Sequence, residues 1–232
     1  MKVAAIIPAF NEAEALPAVL VELGRTLPDV DVIVVDDGSA DDTAAVARAG
    51  GATCLVLPFN LGIGGALRMG FRFAHEQGYE RAFQFDADGQ HEAGQVSALL
   101  EGLDAGADMV IGSRFAGVGD YQPGRIRGMA MGVLRFGIKR IVGRSFTDTS
   151  SGFRGFNSDV LALFARDYPV EYMDSVEALV MAHRAGFRVE EVPVTMRERA
   201  GGTASTRNFR LLYHYVRVLI TVVLAPRRAG TR

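Results

Sequence analysis

Residues 3–39 read VAAIIPAFNEAEALPAVLVELGRTLPDVDVIVVDDGS, and this stretch decides the fold class. Val3–Ile7 is a short unbroken apolar run, the pattern of a strand buried on both faces. Glu12–Arg25 follows with helical character, and Asn11 is its expected cap. Val32–Val35 is a second apolar run that ends abruptly in Asp36-Asp37-Gly38-Ser39. A strand, a helix and a second strand make one βαβ unit, whose two strands run parallel.

The alternation continues downstream. Ser39-Ala40-Asp41-Asp42 fits a helix-start box for Asp42–Ala49. Thr53–Leu57 reads as a third strand and Leu61–Glu76 as a third helix. Ala82–Phe85 and Met109–Ile111 read as further strands, with the helical stretch Ala93–Leu103 between them. The expected fold is α/β, a Rossmann-like and mostly parallel sheet flanked by helices. Ligands on such sheets sit beyond the carboxyl ends of the strands. Four polar clusters fall there: Pro8–Glu12, Asp36–Ser39, Asn60–Gly65 and Asp86–His91.

Composition narrows the class. Of 232 residues, 49% are hydrophobic and 22% charged, which excludes a disordered chain and permits a sizeable core. No linker, repeat or low-complexity tract divides the chain, so one domain (1–205) is expected, followed by a C-terminal appendage (206–232). The single cysteine, Cys54, excludes an intrachain disulfide and a Cys-rich zinc site, and points to a reducing cytosol. Cys54 reads as a core residue, and His75 and His183 as structural residues of helices. A formal charge of −2 argues against nucleic acid as a partner. The charge is uneven: residues 1–195 carry 17 Lys/Arg against 26 Asp/Glu, whereas residues 196–232 carry 8 Arg against Glu198 alone. Such asymmetry suggests an anionic surface or ligand near the C-terminal end. The N-terminus shows no signal-peptide pattern, and no apolar stretch is long enough for an ordinary membrane span.

Three constellations carry chemistry. Asp86-Ala87-Asp88 follows the fourth strand, and two carboxylates at i and i+2 of extended chain share one face. Hard oxygen ligands of this kind suit Mg²⁺ or Mn²⁺ shared with a diphosphate, with Gln90 or His91 completing or buttressing the shell. An Asx-rich turn is the structural alternative. Asp36-Asp37 either caps the next helix or accepts hydrogen bonds from a base or a ribose. Asn60-Leu61-Gly62-Ile63-Gly64-Gly65-Ala66 allows a ligand close to the backbone at a helix start. It follows the third strand, not the first, so it is no dinucleotide fingerprint; without Gly-Lys-Ser/Thr it is no P-loop. A nucleotidyltransferase would carry a Gly-rich basic loop where this chain has Ala9-Phe10-Asn11-Glu12.

Together these motifs resemble the family 2 glycosyltransferases of the GT-A fold. Ile6-Ile7-Pro8-Ala9-Phe10-Asn11-Glu12 is similar to that family's opening, and Val34-Val35-Asp36-Asp37-Gly38-Ser39 with Asp42-Thr43 to its second motif. Asp86-Ala87-Asp88-Gly89-Gln90-His91 resembles the metal motif of the polyprenyl- or dolichyl-phosphate mannose and glucose synthase branch. Gly112-Ser113-Arg114-Phe115 and Ser151-Gly152-Phe153-Arg154 continue the likeness. The resemblance implies that Pro8, Phe10, Glu12, Val35 and Asp37 hold the nucleoside. Asp86, Ala87, Asp88 and Gln90 would hold the diphosphate and a Mg²⁺ or Mn²⁺ ion, with Asp86, Asp88 and Gln90 as metal ligands. Arg114, and Arg197 or Arg199, would meet anionic oxygens. Met196–Ser205 resembles a mobile loop that closes over the donor, although Ala204 precedes Ser205 and no Lys follows.

The implied reaction is inverting transfer of a hexose from a GDP- or UDP-linked donor. A phosphate acceptor is already ionised near neutral pH and needs cations to position it; Arg127, Arg154, Arg197 and Arg199 are the candidates. A hydroxyl acceptor would need a base, for which Asp174 and Glu177 are the candidates. From Arg207 onward, Arg207, Arg210, His214, Arg217 and Thr221 recur at helical spacing opposite an apolar face. A basic amphipathic helix of this kind suits an anionic membrane surface or a partner protein. The expected partners are a nucleotide-sugar donor, a polyprenyl-phosphate acceptor and the inner face of the cell membrane, with a homo-oligomer left open. A hydroxyl acceptor and a non-catalytic nucleotide-sugar scaffold are the alternatives.

Overall fold

The computed structural model describes residues 1–116, 138–140, 142–170 and 174–197. The elements in chain order are β1 (Val3–Ala9), α1 (Leu16–Thr26), β2 (Asp31–Asp36), α2 (Thr43–Ala49), β3 (Thr53–Val56), α3 (Ile63–Glu76) and β4 (Arg81–Gln84). A 3₁₀ turn (Ala93–Gln95), α4 (Val96–Asp104), β5 (Met109–Ser113), β6 (Arg154–Asn157), α5 (Ser158–Asp167), α6 (Asp174–Arg184) and β7 (Val189–Pro193) follow. The seven strands form one sheet in the order β3-β2-β1-β4-β6-β5-β7.

β1 pairs in parallel with β2 and β4, β2 with β3, and β5 with β7. β6 alone runs antiparallel, between β4 and β5. The expected α/β class and mostly parallel sheet are therefore correct, and β6 is the addition. Arg154-Gly155-Phe156-Asn157 is too short, and too broken by Gly and Arg, to show a strand period in sequence.

Two apolar layers sandwich the sheet because side chains alternate along each strand. Ala5 and Ile7 of β1 face the layer of α1, α2 and α4, where Leu16, Leu20, Ala47 and Leu99 are buried. Ala4 and Ile6 face the layer of α3, α5 and α6, where Leu67, Phe71, Phe164 and Leu179 are buried. Phe71 is a hub of the second layer, its ring 5.1 Å from Phe156, 5.4 Å from Phe164 and 4.8 Å from Tyr168.

The strand order indicates where along the carboxyl edge a ligand is expected. From β1 the chain steps outward through β2 to β3, and α3 then carries it back across the sheet to β4 on the other side of β1. Right-handed crossovers place helices of opposite step direction on opposite faces. α1 and α2 accordingly lie on one face and α3 on the other; the strand order reverses between β1 and β4, and the crevice at the carboxyl edge there is the expected ligand position.

Candidate active site

The loops after β1 and β2 are stitched together by side chains. Asn11 adopts a left-handed conformation (φ 55°). Its N–H donates to Ser39 Oγ at 2.9 Å, and its own Oδ1 accepts the Ala40 N–H at 2.9 Å. The Glu12 N–H donates to Thr43 Oγ1, and the Ala13 N–H to Asp41 Oδ2. Asn11 is thus not a helix cap as expected; α1 begins only at Leu16 with Pro17 in its first turn. Nor does the expected start box form: the Ser39 N–H donates to Asp36 Oδ1 and not to Asp42, and Ser39 Oγ accepts the Asn11 N–H. Pro8 is half-buried at the end of β1, Val35 is buried on β2, and the Phe10 ring is 46% exposed at the rim of the crevice.

Asp36 and Asp37 are both buried. Asp36 Oδ1 accepts the Ser39 N–H at 3.0 Å. The Asp37 carboxylate accepts the Leu61 N–H at 2.7 Å on one oxygen and the Gly62 N–H at 2.8 Å on the other. Burial pushes its carboxyl above the usual range; the two amides oppose that shift, and the neighbouring Asp36 charge adds to it. Asp37 therefore locks the start of α3 to the end of β2, a role that the sequence reading did not include.

Within the glycine run Gly64 serves packing, whereas a Cβ on Gly62 would meet nothing within 4 Å. A Cβ on Gly64 would lie 2.8 Å from Val170 Cα and closer still to the Pro169 carbonyl oxygen. On Gly70 it would press against Ile6 and Val35. Both glycines let α3 approach neighbouring chain, leaving no room between for a ligand.

Asp86, Ala87 and Asp88 sit past the end of β4, in a turn that Gly89 closes at φ 75°. The extended-chain argument for a shared face therefore does not apply, since β4 ends at Gln84. Asp88 is buried, and its Oδ1 accepts the Gln90 N–H at 3.0 Å in an Asx turn. Asp86 is partly exposed, and its Oδ1 accepts from Gln84 Nε2 at 3.2 Å. That contact fixes the Gln84 amide and leaves its Oε1 buried with no partner among the described residues. His91 is buried between Phe85 and Phe153, with ring centroids at 5.3 and 4.7 Å. Its Nδ1 accepts the Asp86 N–H at 3.0 Å, so the neutral ring carries its proton on Nε2, which lies 3.4 Å from Asp86 Oδ2.

Among the described residues no group of three or more His, Cys, Asp and Glu side chains could hold a metal ion by itself. The donor set fits one shared with a ligand. Asp86 is partly exposed, and its two oxygens meet Gln84 Nε2 and His91 Nε2. Asp86 and Asp88 are hard oxygen donors, and Mg²⁺ or Mn²⁺ is commonly held by one or two carboxylates plus substrate phosphates and water. Gln90 is half-buried, and its backbone carbonyl accepts the Arg197 N–H at 2.9 Å.

The expected cations are tied down. Arg114, at the end of β5, forks onto the fully buried Asp148 through Nε at 2.7 Å and Nη2 at 3.0 Å. Arg154 is itself 1% exposed and donates to the carbonyls of Thr149, Ser151 and Ser175. It braces the site and is sealed off from any acceptor, which corrects its reading as a phosphate-positioning group. Arg197 forks onto Glu22 of α1 at 2.6 and 3.1 Å. Asp174 opens α6, and Glu177 is half-buried one turn later. Arg127, Arg199 and the segment 206–232 lie outside the described residues.

Sequence reading missed Glu22 and the ion-pair role of Asp148. No local signal marks them, since their partners lie 175 and 34 residues away.

The sequence pattern described as glycosyl transferase family 2 matches residues 4–164. The chain is a family 2 glycosyltransferase. The family 2 match spans every strand from β1 to β6. Relatives extend it: polyprenol monophosphomannose synthase of Mycolicibacterium smegmatis is 33% identical over 86% of this chain and 78% of its own length. Undecaprenyl-phosphate mannosyltransferase of Micrococcus luteus is 36% identical over 87% of this chain and 86% of its own. Glucosyl-3-phosphoglycerate synthase of Mycobacterium tuberculosis, solved with Mg²⁺ and UDP, superposes with a TM-score of 0.72 at 20% identity, covering 100% of this chain and 80% of that one. That likeness shows the GT-A fold.

Proposed function

We propose that this glycosyltransferase moves a hexose from a GDP- or UDP-linked donor to a polyprenyl phosphate, with Mg²⁺ or Mn²⁺, at the cytosolic face of the membrane. The observation that carries the chemistry is the Asp86–Asp88 turn just past β4, where the strand order reverses and two carboxylates lie two residues apart. The two mannosyltransferase relatives, named for polyprenol and undecaprenyl-phosphate acceptors, support the acceptor class.

Pro8, Phe10, Glu12 and Val35 line the nucleoside end, and Asp37 shapes it through Leu61 and Gly62. Asp86, Asp88 and Gln90 would hold the metal, and Ala87 brings backbone close to the diphosphate. When bound, the ion neutralises charge that builds on the β-phosphate as the sugar departs. His91 and Gln84 keep the Asp86 carboxylate aimed, and Asp148 holds the Arg114 guanidinium ready for anionic oxygens. The acceptor phosphate attacks as an anion, so no side chain must remove a proton. Arg199 and the basic helical pattern from Arg207 supply the cationic approach for a lipid phosphate. Among the described residues no helix is long and apolar enough to cross a membrane.

The test is transfer of labelled hexose from GDP-mannose, GDP-glucose and UDP-glucose to a polyprenyl phosphate in detergent, with Mn²⁺ and with chelator. Metal-dependent transfer from one of these donors is expected. Transfer only to free hydroxyl sugars, or none from any nucleotide sugar, would overturn the proposal.

A further inference from the structure

Glu22 lies in no motif, yet three chain segments converge on its carboxylate. It projects from α1, and its Oε1 accepts the Ala93 N–H at 2.9 Å, just past the Asp86–His91 loop. Its two oxygens also take both terminal nitrogens of Arg197 at 2.6 and 3.1 Å. Arg197 in turn donates its backbone N–H to the Gln90 carbonyl at 2.9 Å, and Met196 bridges His91 in antiparallel fashion. Residues 196–197 are therefore laid against residues 90–91, and Glu22 grips both sides of the seam.

We propose that Glu22 is a positioning residue for the donor site, and that Arg197 serves the reaction through this clasp and not as a direct ligand of the diphosphate. The inference rests on the reading above, in which the Asp86–His91 loop holds metal and diphosphate. A seam of one bridge and one adjoining hydrogen bond has little strength alone, so an outside anchor decides its register. Gln90 sits at the centre: its N–H is bound by Asp88 and its carbonyl by Arg197. A slip of residues 196–197 therefore reaches Asp88 through Gln90, and Asp86 through His91. The forked contact suits Arg, whose planar donors match a carboxylate at two points, and Lys cannot reproduce it. The pair is not a main source of stability, because Arg197 is 48% exposed and exposed ion pairs contribute little. Arg197 holds the Glu22 carboxyl below its ordinary range, as expected for a pair kept charged.

The test uses the full chain with Glu22→Gln, Arg197→Gln, Arg197→Lys, the double Gln variant and the exchange Glu22→Arg with Arg197→Glu. Affinity for Mn²⁺ with GDP or UDP is measured by calorimetry, KM and kcat by transfer, and exchange of the Arg197 amide hydrogen without metal or nucleotide. Each single Gln variant should weaken Mn²⁺–nucleotide binding about tenfold, the usual scale for disturbing support behind metal ligands. The double variant should be no worse than either single, and the exchanged pair should recover part of the loss. KM for the donor should rise with kcat little changed, the unfolding midpoint should hold, and the Arg197 amide should exchange faster in Glu22→Gln. Two results would overturn the clasp: Arg197→Gln far more damaging than Glu22→Gln, or losses that multiply in the double variant. Wild-type transfer judges the proposed reaction separately, since calorimetry and exchange read the clasp whether or not sugar moves.

Discussion

The Arg114 guanidinium grips Asp148 at two points, 2.7 and 3.0 Å, and Asp148 has no solvent exposure at all. Asp148 is also bound by Ser150 Oγ, and its own N–H donates to Glu191 of β7. The ion pair and the backbone bond to Glu191 therefore tie residues 147–150 to the end of β5 and to the middle of β7. Arg114→Ala strands a buried charge and should destabilise the fold by about 3–5 kcal/mol, read from chemical denaturation. Arg114→Lys keeps the charge and loses the fork, so it should cost less stability while still lowering transfer.

His91 supports Asp86 from behind. His91→Phe fits the aromatic surroundings of Phe85 and Phe153, yet it leaves the Asp86 N–H without its acceptor. The expected cost is about 1–3 kcal/mol for the orphaned donor. Metal affinity should fall about tenfold or more, and titration with Mn²⁺ checks it.

Much of this site was legible because strand ends announce themselves. A buried strand must stop where polar residues begin, so Pro8–Glu12, Asp36–Ser39 and Asp86–His91 marked the carboxyl edge without a structure. What stayed hidden depends on distance along the chain. Glu22 and Arg197, or Arg114 and Asp148, acquire meaning only when the sheet brings them together. Gly64 was hidden for a different reason: a missing side chain makes space, and sequence does not say whether ligand or protein fills it.

That last point can be checked directly. Gly64→Ala would force a Cβ into the backbone of Pro169 and Val170, and overpacking of this kind costs about 1–3 kcal/mol or more. Gly94→Ala is the control, with nothing within 4 Å of its Cβ. Thermal unfolding should separate the two variants clearly. Equal midpoints would restore the reading of Gly64 as ligand space.

Tyr79 gives a pH signature. Its buried hydroxyl donates to Asp31 Oδ2 at 2.9 Å, and burial, the hydrogen bond and the Asp31 charge together push its pKa up to about 12. The unfolded phenol titrates near 10. A pKa raised by folding means that the contribution is complete below about pH 10 and is lost as pH rises through about 12. Phenolate absorbance should show one tyrosine titrating late, and Tyr79→Phe should remove it. Stability near neutral pH should fall by about 1–2 kcal/mol in that variant.

Asp88 and Asp174 separate the two acceptor chemistries. Asp88→Asn keeps an oxygen for the Gln90 N–H, so the turn survives while the charge is lost. Transfer should drop about 10²–10³-fold, the scale for removing one electrostatic support of a transition state, with the unfolding midpoint held. Asp174 opens α6, and Asn there removes the charge at nearly unchanged side-chain size. An ionised phosphate acceptor needs no proton removed, and Asp174→Asn should leave kcat within about threefold; a base that is lost costs about 10²–10⁴. If Asp174→Asn abolishes turnover while nucleotide binding persists, the acceptor is a hydroxyl and the lipid-phosphate assignment falls.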